Sequence, residues 1–291
     1  MSYYTDQTGF LPVEGGKVWY QVLGAAKSGV PLLTLHGGPG YPHDYLEPLD
    51  RLADERPVIF YDQLGCGQSE RPDNRALWRV DRFVRELAQV RQALGLERVH
   101  LFGHSWGAML AVDYLLSGAS VTSLILASPA LSIPRWMEDA TQLRKTLPAD
   151  VQATLALHEA AGTTETLRYR DATMQYYRRY LCRMDPWPDP MNRSHEASSG
   201  AVYREMWGPS ELYATGNLID YDRTGRLSEI AVPTLYTCGR YDEATPEATA
   251  WYRSLTPAAE LLVFERSAHM PHLEETDAYV AALRDFLNRA P

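Results

Sequence analysis

The sequence predicts an α/β fold: a mostly parallel sheet flanked by helices, with a block of helices inserted into it. Short continuous apolar runs, of the kind buried on both faces of a parallel sheet, occur at Val30 to Leu35, Val58 to Tyr61, Val99 to Phe102 and Val121 to Ala127. Helical patterns separate them. That rhythm stops after Pro129 and resumes at Val232, which marks the insertion.

In order along the chain, the first ~30 residues alternate apolar and polar. Lys17-Val18-Trp19-Tyr20-Gln21-Val22 shows the pattern, and Gly15-Gly16 supplies a turn for an antiparallel hairpin. From Val80 to Leu94, the residues Phe83, Val84, Leu87, Val90, Ala93 and Leu94 share one helical face. From about Ala130 to Arg226 there are helical stretches rich in Trp and Tyr, broken at Asp185-Pro186-Trp187-Pro188-Asp189-Pro190. Strands are again expected at Val232 to Thr237 and, as a buried run, at Glu260 to Phe264. A helix from about Thr276 to Asn288 closes the chain. The expected organisation is one α/β core made of residues 1–129 and 227–291, interrupted by a helical cap at 130–226. Such a cap would exclude water from the sheet edge and shape a pocket.

Composition narrows the function. The 291 residues are 45% hydrophobic and 22% charged, as in ordinary globular enzymes. A net charge of -9 argues against a nucleic-acid partner, because no basic face is available to neutralise phosphates. The five arginines between Arg168 and Arg183 are interleaved with tyrosines, Met174 and Leu181, as on an amphipathic helix with a solvated charged face. No stretch approaches the ~20 apolar residues of a membrane span. Met1 to Asp6 has neither the basic region nor the apolar core of a secretion signal. The cysteines Cys66, Cys182 and Cys238 are odd in number and far apart, which disfavours a disulfide framework or a zinc site. A cytoplasmic chain without metal or cofactor is expected.

The chemistry centres on Gly103-His104-Ser105-Trp106-Gly107. It follows an expected strand and precedes the apolar start of a helix, Ala108 to Val112. A serine in a sharp strand-to-helix turn has its hydroxyl exposed at the sheet edge, where it can act as a nucleophile. It still needs a base to take its proton and a carboxylate to orient that base. In this arrangement the partners follow in the order serine, acid, histidine.

Four histidines lie beyond Ser105. His158 and His195 fall in the inserted block. His269 lies directly after the last strand, where it could reach the sheet edge, and is assigned as the base. His272 is the competitor, otherwise read as a surface-loop histidine. Asp242 leaves the strand ending near Gly239 and is assigned as the acid, with turn-forming or helix-capping as the alternative. Asp220 and Asp222 precede that strand and are worse placed. Oxyanion stabilisation needs backbone N–H groups. Trp106, following the nucleophile at the start of a helix, should give one. The loop His36-Gly37-Gly38-Pro39-Gly40 should give the other, with Gly38 first choice and Gly37 second, since Pro39 has no N–H. Cys66 is read as a packing residue, and His104 is not read as a second base, because residues flanking the nucleophile in the turn point elsewhere.

Taken together, Leu35 to Gly40, Asp62-Gln63-Leu64-Gly65-Cys66-Gly67-Gln68-Ser69, Gly103 to Gly107, Gly239-Arg240-Tyr241-Asp242-Glu243 and Ala268-His269-Met270-Pro271-His272 resemble the α/β-hydrolase superfamily. Within it the chain resembles the proline iminopeptidases and the related L-amino-acid amidases. In the inserted block, Tyr177-Arg178-Arg179-Tyr180, Asp185 to Pro188 and Trp207-Gly208-Pro209-Ser210-Glu211 resemble them too. The resemblance implies removal of an unblocked N-terminal residue, with Glu211 and Glu243 holding the substrate's free amine. A protonated amine entering a capped, partly dry pocket must be paired, or its desolvation defeats binding.

The expected function is therefore a metal-independent serine hydrolase. It would act on small peptides or amino-acid amides with a free amino terminus, preferring N-terminal proline. An amino-acid amidase or small-ester hydrolase with the same triad is the alternative, and a non-catalytic receptor on the same fold is a third class. Dehalogenase or epoxide-hydrolase chemistry is disfavoured because the nucleophile is serine, not aspartate.

Overall fold

The computed structural model describes residues 7–290, so the reading of Met1 to Asp6 lies outside it. The N-terminal alternation forms a hairpin of β1 (Gln7–Val13) and β2 (Gly16–Leu23), with Val13 opposite Gly16 across the turn. The apolar runs become β3 (Leu32–Leu35), β4 (Val58–Tyr61), β5 (His100–His104), β6 (Ser123–Ala127), β7 (Thr234–Gly239) and β8 (Ala259–Phe264). They join the hairpin in one eight-stranded sheet of order β1-β2-β4-β3-β5-β6-β7-β8. The β1–β2 and β2–β4 pairs are antiparallel and the others parallel.

Every residue of β3 to β7 is buried, as continuous apolar runs require of a sheet covered on both sides. Alternate side chains feed opposite layers. Leu33, Leu35, Ile59, Leu101, Leu126 and Tyr236 pack with α1 (Val80–Ala93) and α2 (Trp106–Leu116). Leu32, Val58, Phe60, Phe102, Ile125 and Leu235 pack with the 3₁₀ segment His43–Asp54 and with α10 (Thr276–Arg289). β8 departs from the buried run expected for it. As the edge strand it alternates, and Leu262 is exposed. α1 also buries an unforeseen ion pair, Arg82 with Glu86, beneath its apolar stripe. Arg82 donates to the Glu14 carbonyl at 3.1 Å and Glu86 accepts from the Leu64 N–H at 3.3 Å, so the pair fastens the hairpin turn to the loop after β4.

Between β6 and β7 the chain forms α3 (Ile133–Arg144), α4 (Ala149–Ala160), α5 (Leu167–Tyr180), α6 (Asp189–Glu196) and α7 (Gly200–Met206), with isolated bridges but no strand. α5 carries the arginine-rich stretch. It buries Tyr169, Ala172, Thr173 and Tyr176 and leaves Arg168, Arg170 and Arg178 exposed. α6 is tied to the segment after β3. Arg193 meets Asp44 at 3.2 Å and pairs with Glu47, and the Ser194 hydroxyl donates to the Pro42 carbonyl at 2.9 Å. The Ser199 N–H donates to the Gly40 carbonyl at 2.9 Å. After β7 come α8 (Pro246–Leu255) and, beyond β8, the short α9 (Pro271–Glu274).

Candidate active site

The strand order reverses at β3: β4 lies on one side of it and β5 on the other. Loops leaving the carboxyl ends of two such strands splay apart and open a crevice. The loop after β3 is His36 to Gly40, and the turn after β5 holds Ser105. The two meet there, since a Cβ at Gly37 would lie 3.2 Å from that of Ser105.

Ser105 sits at φ 55°, ψ -118°, immediately before α2. A non-glycine residue with positive φ costs about 1–3 kcal/mol and persists only where its surroundings enforce it. Here the surroundings are close-packed backbone. A Cβ on Gly103 would lie 2.3 Å from the Gly107 carbonyl oxygen, and one on Gly107 would lie 2.1 Å from that of Leu35. The two glycines therefore let strand, turn and helix approach closely enough to hold the serine in place.

His269, in the loop between β8 and α9, brings Nδ1 to 2.7 Å from Asp242 Oδ1, and both residues are buried. Asp242 is fixed in turn by the N–H groups of Ala244 (2.7 Å, to Oδ1) and Gly239 (3.3 Å, to Oδ2). The loop that carries His269 is pinned by two carboxylates. Glu274 accepts from the Ala268 N–H at 2.9 Å and Glu275 from the Ser267 hydroxyl at 2.6 Å. The His269 carbonyl accepts from His104 Nε2 at 2.8 Å, which fastens this loop to the residue beside Ser105.

The His36 loop is braced by Gln63. The Gln63 amide nitrogen donates to the His36 carbonyl at 3.0 Å, its backbone N–H donates to His36 Nε2 at 2.9 Å, and its side-chain oxygen accepts the Trp106 indole N–H at 2.8 Å. One side chain thus holds the loop and the helix start that face each other across Ser105. His36 is fully buried, and burial takes its pKa down to about 4, so its Nε2 stays free to accept. The Gly37 N–H is occupied by the Tyr45 hydroxyl at 2.7 Å. Gly38 has φ +111°, a backbone conformation that suits glycine.

Glu243 follows Asp242 and is 1% exposed, with the Tyr176 hydroxyl beside its carboxylate. Glu211, half-buried, follows α7, accepts from the Tyr203 hydroxyl at 2.6 Å and lies within electrostatic reach of Glu243. Burial raises the pKa of both, to about 7 for Glu211, and Glu211's charge raises Glu243 further. Trp136, on α3, joins the two groups of residues: its indole N–H donates to the Glu211 carbonyl at 2.8 Å and its ring faces His269.

The remaining candidates lie apart from this centre. His158 bonds to Thr163 on the outer side of α4, His195 is exposed on α6, and Asp222 bonds to Thr224. His272 is not the surface histidine expected. It is fully buried against Tyr45, His104 and Tyr279, and burial takes its pKa down to about 3. Cys66 is buried with its thiol donating to the Gln63 carbonyl at 3.3 Å, and burial raises its pKa, as suits a packing residue. Sequence reasoning missed Tyr45, Trp136 and Tyr203. Each makes its side-chain hydrogen bonds with residues eight or more positions away, and no spacing in the chain announces them.

The family model for the alpha/beta hydrolase fold matches residues 30–276, and the chain belongs to that family. A proline iminopeptidase of Heyndrickxia coagulans is 48% identical over 287 residues, covering 98% of this chain and 99% of the relative. Among solved structures, VinJ superposes with a TM-score of 0.94 at 36% identity, over 98% of this chain and 99% of that one. A proline iminopeptidase of Mycobacterium smegmatis gives 0.90 at 35%, over 98% of both chains. Within the hydrolase fold, the chain is a member of the proline iminopeptidase family. Among the described residues, no helix is long and apolar enough to cross a membrane.

Proposed function

We propose that this chain is a serine aminopeptidase that releases an unblocked N-terminal residue, preferably proline, from small peptides through an acyl-enzyme. The observation that carries the reading is the pairing of a buried Asp242–His269 couple with two neighbouring acids, the buried Glu243 and the half-buried Glu211. The first is machinery for activating a serine. The second places two carboxyl groups together, which suits a cation, and a substrate's terminal ammonium is the cation an aminopeptidase must bind. Family membership at 48% identity supports the proline preference.

In this reading Asp242 holds Nδ1 of His269, so Nε2 takes the Ser105 proton as Oγ attacks the carbonyl carbon. The N–H groups of Gly38 and Trp106 stabilise the oxyanion. Gly38 is chosen over Gly37 because the Gly37 N–H already serves Tyr45. His269 then protonates the departing nitrogen as the C–N bond breaks, leaving the acyl group on Ser105. A water gives its proton to His269 and attacks the ester, the proton returns to Ser105, and the free amino acid leaves. Residues 130–226 act as the cap that brings Glu211 over the crevice and sheds water from it. We infer a cytoplasmic setting, which three buried free thiols support.

The test is hydrolysis of a proline-initiated dipeptide and its alanine-initiated counterpart, with Ser105→Ala as control. Free proline should appear faster than alanine, and Ser105→Ala should lose about 10⁴-fold or more in kcat. A Ser105→Ala protein with wild-type rate would sink the mechanism.

A further inference from the structure

Three loops must keep their places around Ser105: the His36 to Gly40 loop, the turn of Ser105 itself, and the loop of His269. One chain of hydrogen bonds crosses all three. The Gly37 N–H meets the Tyr45 hydroxyl at 2.7 Å, that hydroxyl meets His104 Nδ1 at 2.9 Å, and His104 Nε2 meets the His269 carbonyl at 2.8 Å. All the side chains are buried.

The direction of every bond follows from donor and acceptor capacity. A backbone N–H only donates, so the Tyr45 oxygen accepts from Gly37. That leaves the single Tyr45 proton for His104, whose Nδ1 must therefore be bare. A carbonyl only accepts, so His104 Nε2 carries the proton and donates it to His269. The chain runs one way, from the oxyanion loop to the base loop, and admits one neutral tautomer of His104.

We propose that Tyr45 and His104 are positioning residues: a directional relay that holds the oxyanion loop and the His269 loop in register about Ser105. The proposal rests on the reading of Ser105 and His269 as nucleophile and base. Two further observations support it. The His104 ring packs edge to face against His269, with centres 4.7 Å apart, so it braces the imidazole as well as its carbonyl. Burial, with His269 and His272 as neighbours, holds the His104 pKa well below its usual value, so the one-way pattern persists across the working pH range. The relay also commits the Gly37 N–H elsewhere and leaves the oxyanion to Gly38.

Nitrogen-15 NMR of histidine-labelled enzyme, with His104 assigned by its loss in His104→Gln, reads the tautomer directly. A neutral ring protonated at Nε2 and bare at Nδ1 is expected from pH 6 to 9. Tyr45→Phe keeps the ring and removes the link. Its kcat on a proline arylamide should fall about 10- to 100-fold, as for a small misplacement of reacting groups, with KM changed less than about 2-fold. His104→Gln, whose amide can accept from Tyr45 and donate to His269, should recover most of the rate that His104→Leu loses. A ring protonated at Nδ1, or a folded Tyr45→Phe with wild-type kcat, overturns the relay. Should Ser105→Ala retain turnover, the nucleophile assignment itself fails; an inactive Ser105→Ala beside a fully active Tyr45→Phe removes the relay alone.

Discussion

Trp136 meets the His269 imidazole edge to face, with ring centres 5.9 Å apart, and the same indole donates to the backbone of Glu211 at 2.8 Å. The base that would work on the scissile carbonyl and the carboxylate that would hold the amine therefore share one wall. In an N-terminal residue those two substrate groups are one carbon apart, so the wall sets a spacing the substrate must match.

Replacing Trp136 by Phe keeps a ring beside His269 but abandons the bond to Glu211. KM for a proline arylamide should rise several-fold, with kcat changing less than KM. The loss of one hydrogen bond of about 0.5–1.5 kcal/mol sets that size. Steady-state kinetics on both proteins checks it.

Asp242→Asn keeps the shape of the acid but would hold the wrong tautomer of His269. A fall in kcat of about 10⁴-fold is expected, by the triad precedent. Circular dichroism should show the fold intact, because the asparagine oxygen can still accept from the Gly239 N–H. A loss of less than about tenfold would remove Asp242 from the triad.

Glu243→Gln should trade activity for stability. The folded-state pKa of Glu243 lies above its ordinary 4.5 because of burial, Glu211 and Asp242. Below about pH 4.5 the group is protonated whether the chain is folded or not, and its favourable contribution is fully present. As pH rises through the elevated folded value, folding must hold a buried carboxylate ionised, and stability is lost. The Gln variant escapes that loss. Its Tm should exceed wild type at pH 8, by about 2–4 °C per kcal/mol, with each pKa unit worth about 1.4 kcal/mol. The gain should shrink toward pH 5. Thermal melts across pH read it.

Gly107→Ala should be among the most damaging single changes in the chain. Its methyl would enter the space of the Leu35 and His36 carbonyl oxygens, at 2.1 and 2.9 Å, which are backbone and cannot swing away. Destabilisation of about 3 kcal/mol or more is expected. Chemical denaturation checks it, and a variant as stable as wild type would contradict the packing account of the turn.

Much of this architecture was written locally. Short apolar runs at Val58 to Tyr61 and Val99 to Phe102, alternating with helical patterns, read as buried strands, and Val80 to Leu94 repeated at helical spacing. The sharp turn at Ser105 is announced by glycines whose missing side chains its packing requires. That Asp242 and His269 would meet was readable because each follows a strand whose end lies at the same sheet edge. What the chain hides is whatever depends on two distant segments meeting. Tyr45 belongs to an unremarkable aromatic stretch until Gly37 and His104 are placed around it. His272 reads as a loop residue until the layer of α10 closes over it. The Arg82–Glu86 pair looks like an exposed helical ion pair until the hairpin turn and the Leu64 loop bury it.

The most direct test of the central claim, a serine hydrolase that recognises a free amine through Glu211 and Glu243, compares a proline arylamide with its N-acetylated twin. Wild-type enzyme should prefer the free-amine compound by about 100-fold or more in kcat/KM, since a buried charge left unpaired costs about 3–5 kcal/mol. Glu211→Gln and Glu243→Gln should erode that preference chiefly through KM. Equal cleavage of both compounds by the wild-type protein would contradict the account, leaving a general amidase or esterase in which the two glutamates do not hold the substrate.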